Sequence, residues 1–281
     1  MVRRRIVEEP ASRLAIWARR CALLSLAAMI LIIIIVRAGL LEIVPAIGAV
    51  GATLALAGVG IVLALAAFVV IWREGVRGGG AAFVALATGI VMLAYPAYLG
   101  IRGYSLPAIN DVTTDPNDPP RLEVLARLRP AGTTDYPGAS VAALQRAAYP
   151  DIEPLEVSAS AQIAYESAHA VITKRKWRIV VDRPPQANRR DGQIEAVART
   201  PILGFRDDVV LRVRATRDGA RIDVRSASRY GQHDFGSNAS RIRSLLDDVE
   251  EAITAQKAVR QPAPPTGKKT APPPGKKDKR S

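Results

Sequence analysis

Arg225, Ser226, Ser228 and Arg229 sit almost side by side in the chain, and His233, Asp234 and Asn238 follow within a few residues. The local signals described below place this group at a strand end, a glycine-containing loop and a helix start. A helix start offers free N–H donors and a positive dipole, and neighbouring arginines grip a carboxylate or phosphate in bidentate fashion. The chemistry these residue types suggest is the binding of an anionic ligand. The competing reading is internal: Asp234 and Asn238 cap and brace the loop, while Arg225 and Arg229 pair with Asp223, Asp207 or Asp208. Loop residues need internal partners as much as ligands do.

A second chemistry would gather Asp207 and Asp208, with Asp223, His233 and Asp234, around a divalent metal, since carboxylate oxygens and an imidazole suit Mg²⁺, Mn²⁺ or Zn²⁺. Against it, the hairpin proposed below turns Asp223 to solvent opposite Arg214, and a paired carboxylate is a poor metal ligand. Nucleophilic catalysis finds no support. The single cysteine, Cys21, lies beside an apolar run after Ala-Arg-Arg and reads as an inert interfacial thiol, and no serine sits in a GxSxG turn. His169 falls inside a helical pattern and reads as an exposed helix residue. No cofactor is implied.

These residues must be positioned by the elements around them. Val209 to Ala215 and Arg221 to Ala227 flank Arg217-Asp218-Gly219-Ala220, where Asp-Gly supplies the positive φ of a tight turn. Pairing Ala215 with Ile222, Val213 with Val224 and Leu211 with Ser226 puts the apolar set on one face. Gln193 to Arg199 alternates so that Ile194, Ala196 and Ala198 share that face. Trp177 onward and Leu155 onward also read as strands. Ala139 to Ala148 reads as a short helix and Ser160 to Lys174 as a longer one with Ser160 as N-cap. A last helix starts near Ser237, which can cap it, and carries the stripe Ile242, Leu245, Leu246, Val249 and Ile253. Helix, consecutive strands, then helix predicts an α+β domain with an antiparallel sheet.

The N-terminal third is of another kind. After Cys21 an apolar run reaches Arg37, which can snorkel; Pro45 to Trp72 is 28 uncharged residues and Gly78 to Ile101 is 24, each long enough to span a bilayer. Three transmembrane helices are expected, with small residues four apart in the second (Gly48 and Ala52, Gly51 and Ala55, Gly60 and Ala64) available for close packing. Trp17, Trp72, Tyr98 and Tyr104 fall near the ends of these runs. The segment before the first span holds Arg3, Arg4, Arg5, Arg13, Arg19 and Arg20, and the second loop holds Arg73 and Arg77, so the N-terminus is expected in the cytoplasm and all that follows the third span outside it. In a two-membrane bacterium that is the periplasm, with the spans in the inner membrane. The expected organisation is a basic N-terminus (1–20), three spans (21–101), an extended Pro- and Asp-rich connector (102–120), the α+β domain (121–257) and a disordered Pro- and Lys-rich tail (258–281).

The chain carries 39 Lys+Arg against 26 Asp+Glu and a formal charge of +13, a balance that usually suggests nucleic acid. The excess lies at the two termini and in the spans, whereas residues 105 to 256 hold equal numbers of basic and acidic side chains. Without a summed positive field, a nucleic-acid-binding core is excluded. The partners expected are the lipid bilayer, an anionic ligand or envelope polymer, and a membrane-protein partner.

PAINDVTTDPNDPP (107–120), Ala-Tyr-Pro (148–150), GFRDDVVLRV (204–213) and IDVRSASRYGQHDFGSNASRIR (222–243) together resemble the bacterial and plastid family named domain of unknown function 1499, over about residues 105 to 250. The resemblance implies a membrane-tethered or lumen-side domain and brings no established activity, so no catalytic residue is carried over. The expectation is an integral membrane protein whose outer domain acts as a non-enzymatic envelope accessory, with an anionic ligand. The alternatives are a metal-dependent hydrolase of phosphate-containing envelope compounds and a membrane scaffold for a partner protein.

Overall fold

The structure is a computed structural model that describes residues 10–129, 133–186 and 191–260. Of the expected disordered tail (258–281), residues 258–260 instead continue the last helix, and the rest, with residues 1–9 of the basic N-terminus, lies outside the described residues. Helices α1 (Arg13–Arg37), α2 (Ile43–Glu74) and α3 (Gly79–Ser105) are each long and apolar enough to cross a membrane. Ser12 caps α1, its Oγ accepting the Ala15 N–H at 3.4 Å. α2 ends at Gly75, whose φ of 70° is the left-handed C-terminal stop that glycine adopts without strain.

The three helices pack through small side chains. Ala18 and Ala22 of α1, Ala64 and Ala67 of α2, and Ala82 and Ala85 of α3 are fully buried. A Cβ on Gly60 would lie 3.4 Å from the Ala22 nitrogen, so the α1 backbone approaches closest at that glycine. Of the expected small-residue pairs only Gly60 and Ala64 are used. Gly48, Ala52, Gly51 and Ala55 are not buried, because α1 and α3 pack on the side of α2 that carries Thr53, Ala57, Gly60, Ala64 and Ala67. At one end of the bundle the Ser12 N–H donates to the Arg77 carbonyl (2.8 Å) and the Arg77 N–H to the Pro10 carbonyl (3.1 Å), which ties the N-terminal segment to the α2–α3 loop. The polar domain sits at the other end.

That domain contains β1 (Asp111–Thr113), a 3₁₀ turn (Leu125–Leu128), α4 (Ala139–Ala148), β2 (Leu155–Val157), α5 (Ala161–Lys174), β3 (Arg178–Arg183), β4 (Asp191–Arg199), β5 (Arg206–Ala215), β6 (Ala220–Ser228) and α6 (Ser237–Arg260). The strands form one antiparallel sheet in the order β1-β6-β5-β4-β3, with β2 also on the outer edge of β6, end to end with β1. The expected connector is therefore part of the fold. Residues 102–105 are the last turn of α3, and Asp111-Val112-Thr113, a stretch free of proline, pairs with the edge of β6. The surrounding prolines forbid a central strand but not a short edge strand.

The β5–β6 hairpin has the expected faces on a different register. Ala215 lies opposite Ala220, Val213 opposite Ile222, and Leu211 opposite Val224. A slip of two residues leaves every side chain on its original face, so hydrophobic alternation cannot detect it. The turn sets the register: the Thr216 N–H donates to the Gly219 carbonyl at 2.9 Å and closes the loop two residues tighter than expected. Asp223 consequently faces Arg212, Arg214 meets Arg221, and Asp223 is fully buried, not solvent-facing.

One face of the sheet packs on α5 and α6. Ile194, Leu211, Ile222 and Val224 are fully buried there with Ile172, Ile242, Leu245 and Val249, and each such aliphatic side chain contributes about 1.5–3 kcal/mol. The expected stripe on α6 is present, with Leu246 at its edge. Ser160 caps α5 as expected, accepting the Ile163 N–H at 3.3 Å. The opposite face is covered by the chain from Thr114 to Arg129, where Leu122 and Leu125 pack on Val197 and Val210. Glu195 is fully buried beneath the 3₁₀ turn, and its carboxylate accepts the N–H groups of Glu123 (2.7 Å), Val124 (3.1 Å) and Leu125 (2.9 Å). A buried charge is tolerated here because three backbone donors converge on it.

Candidate functional site

The residues singled out at the β6–α6 junction do not converge on one site. Side chains alternate across a strand, so Arg225 and Arg229 project to the face covered by residues 114–129, while Ser226 and Ser228 project toward α6. On the first face Arg225, 2% exposed, holds Asp111 in a bidentate pair (Nε–Oδ1 3.0 Å, Nη2–Oδ2 2.7 Å) and also donates to the carbonyls of Pro120 and Thr134. Burial pushes the Asp111 carboxyl above its ordinary range, and the Arg225 guanidinium offsets part of that rise. Tyr136 lies over the same guanidinium at 5.9 Å, and burial beside Asp111 pushes its phenol up to about 12. Arg229 pairs with Asp208 (2.8 Å), which Arg129 also holds (2.9 Å). Asp223 is shared by Arg212, Arg214 and Arg221.

On the α6 face the polar groups close on one another. Ser226 donates to Asn238 Oδ1 (2.8 Å), Asn238 Nδ2 donates to Ser228 Oγ and the Asn110 carbonyl (each 3.0 Å), and Arg241 bridges Ser226 and Asn238 to Asp207. The α6 N-terminus is closed by Asp234, not Ser237. Its carboxylate accepts the N–H groups of Gly236 and Asn238, each at 2.8 Å, whereas Ser237 is already the first residue of the helix. Burial raises the Asp234 carboxyl against the pull of those donors. His233 accepts the Phe235 N–H at Nδ1 (2.9 Å), and its Nε2 donates to the Gly103 carbonyl (3.2 Å), fastening the loop to the last turns of α3. Every one of these side chains has an internal partner.

The proposed metal pair also separates. Asp207 and Asp208 are consecutive on β5 and point to opposite faces, one to Arg241 and the other to Arg129 and Arg229. Among the described residues no three His, Cys, Asp or Glu side chains come together as a metal site. His169 is a half-exposed residue of α5 that meets Asp182 at 3.2 Å.

A different set of residues does converge, where the domain meets the membrane helices. A cavity of about 290 Å³ is walled by Arg37 at the end of α1, Lys176 and Arg178 at the α5–β3 turn, and Arg199 and Arg206 at the ends of β4 and β5. No carboxylate lines it, and none of these five cations pairs with a carboxylate among the described residues. Arg199 and Arg206 stand directly opposite one another in the β4–β5 ladder. Like charges in that position destabilise a sheet. The β4–β5 loop between them, Thr200-Pro201-Ile202-Leu203-Gly204-Phe205, is apolar and carries exposed Ile202. Arg37 anchors it by donating to the carbonyls of Pro201 (2.8 Å) and Ile202 (3.3 Å), while Arg199 donates to the Arg37 carbonyl (3.2 Å). The arginine expected only to snorkel instead fastens a loop of the polar domain.

Sequence reasoning passed over this cluster because residues 105–256 are neutral as a whole. Two local signals pointed to it: Lys174-Arg175-Lys176-Trp177-Arg178, four basic residues around a tryptophan, and an apolar loop bracketed by Arg199 and Arg206. Both are patterns of a surface that meets lipid headgroups.

A comparison with curated proteins finds no match for the chain. Residues 111–249, from β1 into α6, match the family described as protein of unknown function (DUF1499), which bears out the resemblance read from the sequence and places it in the polar domain.

Proposed function

We propose that this chain is an inner-membrane protein with a cytoplasmic N-terminus and a periplasmic polar domain, and that the domain is a non-enzymatic envelope accessory binding a phosphate-class anion at the membrane surface. The observation that carries the reading is the facing pair Arg199 and Arg206 within a cavity lined by seven cations and no carboxylate, of which Arg175 and Arg229 are paired with Asp248 and Asp208 outside it and the other five pair with no carboxylate among the described residues. At the β6–α6 junction, by contrast, arginines are neutralised by buried aspartates, as Arg225 is by Asp111 and Arg229 by Asp208. A like-charge cluster kept at a cost to stability fits a site whose counter-charge arrives with a ligand. The anion is therefore assigned in this proposal to the ends of β4 and β5 and not to the β6–α6 junction, whose side chains have internal partners. The hydrolase alternative has lost its ligand pair to opposite faces of the sheet.

Trp177 lines the cavity and reports on it. In a full-length chain with Trp17→Phe and Trp72→Phe, titration with glycerol 3-phosphate should change its fluorescence saturably, with affinity falling as salt is raised. Arg199→Gln with Arg206→Gln should weaken that response at least tenfold. No response, or an equal response in the variant, contradicts the proposal.

A further inference from the structure

The basic cavity adjoins a larger one of about 520 Å³, and Arg175, Trp177 and Arg199 line both. The larger cavity is of a different character. Its walls include Tyr95 and Leu99 from the end of α3 and Ile202, Leu203 and Phe205 from the β4–β5 loop, and besides the shared Arg175 and Arg199 its charged groups are Arg102, Arg241 and Asp234. Tyr95 and Tyr98 are exposed on α3 at the level where that helix leaves its apolar stretch. Aromatic rings there mark the headgroup region of a bilayer. A cationic compartment therefore adjoins a mostly apolar one, whose wall includes exposed residues at the end of an apolar helix.

Resting on the anion-binding reading above, we infer that the ligand is a glycerophospholipid of net negative charge, drawn from the surrounding leaflet. Its phosphate is received by Arg199 and Arg206 with Arg37, Lys176 and Arg178 around them, and its acyl chains lie along Leu99, Ile202 and Leu203 toward the bilayer. A soluble phosphate compound needs the cations but has no use for the apolar compartment. A zwitterionic lipid would bring its own positive charge into the basic cavity, which no carboxylate lines. The match is one of charge and of adjacency: one cavity is cationic where a headgroup would lie, and its neighbour is mostly apolar where the chains would begin.

The test is native mass spectrometry of the full-length chain released from nanodiscs of phosphatidylcholine and phosphatidylglycerol, alongside titration of the detergent-solubilised chain with soluble glycerophosphoglycerol. The inference predicts that phosphatidylglycerol is retained at least tenfold over phosphatidylcholine. Leu99→Ala with Ile202→Ala and Leu203→Ala should lose that retention while still binding glycerophosphoglycerol as the unaltered chain does, which also shows that the cationic site remains folded. Arg199→Gln with Arg206→Gln should lose both. If glycerophosphoglycerol binds but the two lipids are retained equally, or the apolar variant retains phosphatidylglycerol fully, the lipid inference is overturned and the anion-binding reading stands. If neither phosphatidylglycerol nor glycerophosphoglycerol binds, both are overturned.

Discussion

Arg225 and Asp111 show how much of the polar chemistry at the β6–α6 junction is structural. Their side chains are almost wholly buried, and each satisfies the other in a bidentate geometry. Removing one partner leaves a buried charge unanswered, so Asp111→Asn should lower stability by about 3–5 kcal/mol, whereas Asp111→Leu combined with Arg225→Met should lose far less than the sum of its single changes. Denaturant unfolding of the four chains checks this; additive losses would show that the pair is not a coupled unit. The sequence made the need for internal partners legible, and Arg229 with Asp208 is one of the pairs it suggested. It could not suggest Asp111 for Arg225, because the two lie 114 residues apart and the connector looked too rich in proline to join the sheet. The alternation of a strand likewise splits Arg225 from Ser226 and Asp207 from Asp208, which proximity in sequence conceals.

At the scale of elements, helices and strand faces were readable because long periodic patterns determine them. The hairpin register, the choice between Asp234 and Ser237 at the start of α6, and the packing stripe of α2 were not, because each depends on one contact: the Thr216 to Gly219 bond, the Asp234 carboxylate, the approach of α1 to Gly60. The three apolar helices raise a question of direction that their pattern alone leaves open. The N-terminal segment is bonded to the α2–α3 loop at Arg77, so the arginines of both belong to the same end of the bundle, opposite the polar domain. With basic loops held inside, the proposed orientation puts the polar domain outside. Alkaline phosphatase fused after residue 260 should therefore be active in a Gram-negative host. An inactive fusion, beside an active cytoplasmic reporter at the same junction, would contradict that orientation.

For the whole molecule, the polar domain is tied to the helical bundle at two places: His233 to Gly103 on α3, and Arg37 on α1 to the β4–β5 loop. This docking gathers Arg37 with Lys176, Arg178, Arg199 and Arg206 into one cavity, so the site exists only in the assembled chain. Residues 105–256 are neutral on average, and an average over both faces hides a cationic patch on one side. The central claim is that the facing Arg199 and Arg206 are kept for an anion and not for the fold. Thermal unfolding of the full-length chain, with and without glycerol 3-phosphate, tests it most directly. A ligand at about a hundred times its dissociation constant adds about 2.7 kcal/mol to the state that binds it. The unaltered chain should therefore melt higher with the ligand, while Arg199→Gln with Arg206→Gln should melt higher than the unaltered chain without ligand, by up to about 1 kcal/mol of relieved repulsion, and show no further rise. A variant that is less stable without ligand, or that gains as much from the ligand as the unaltered chain does, would contradict the account.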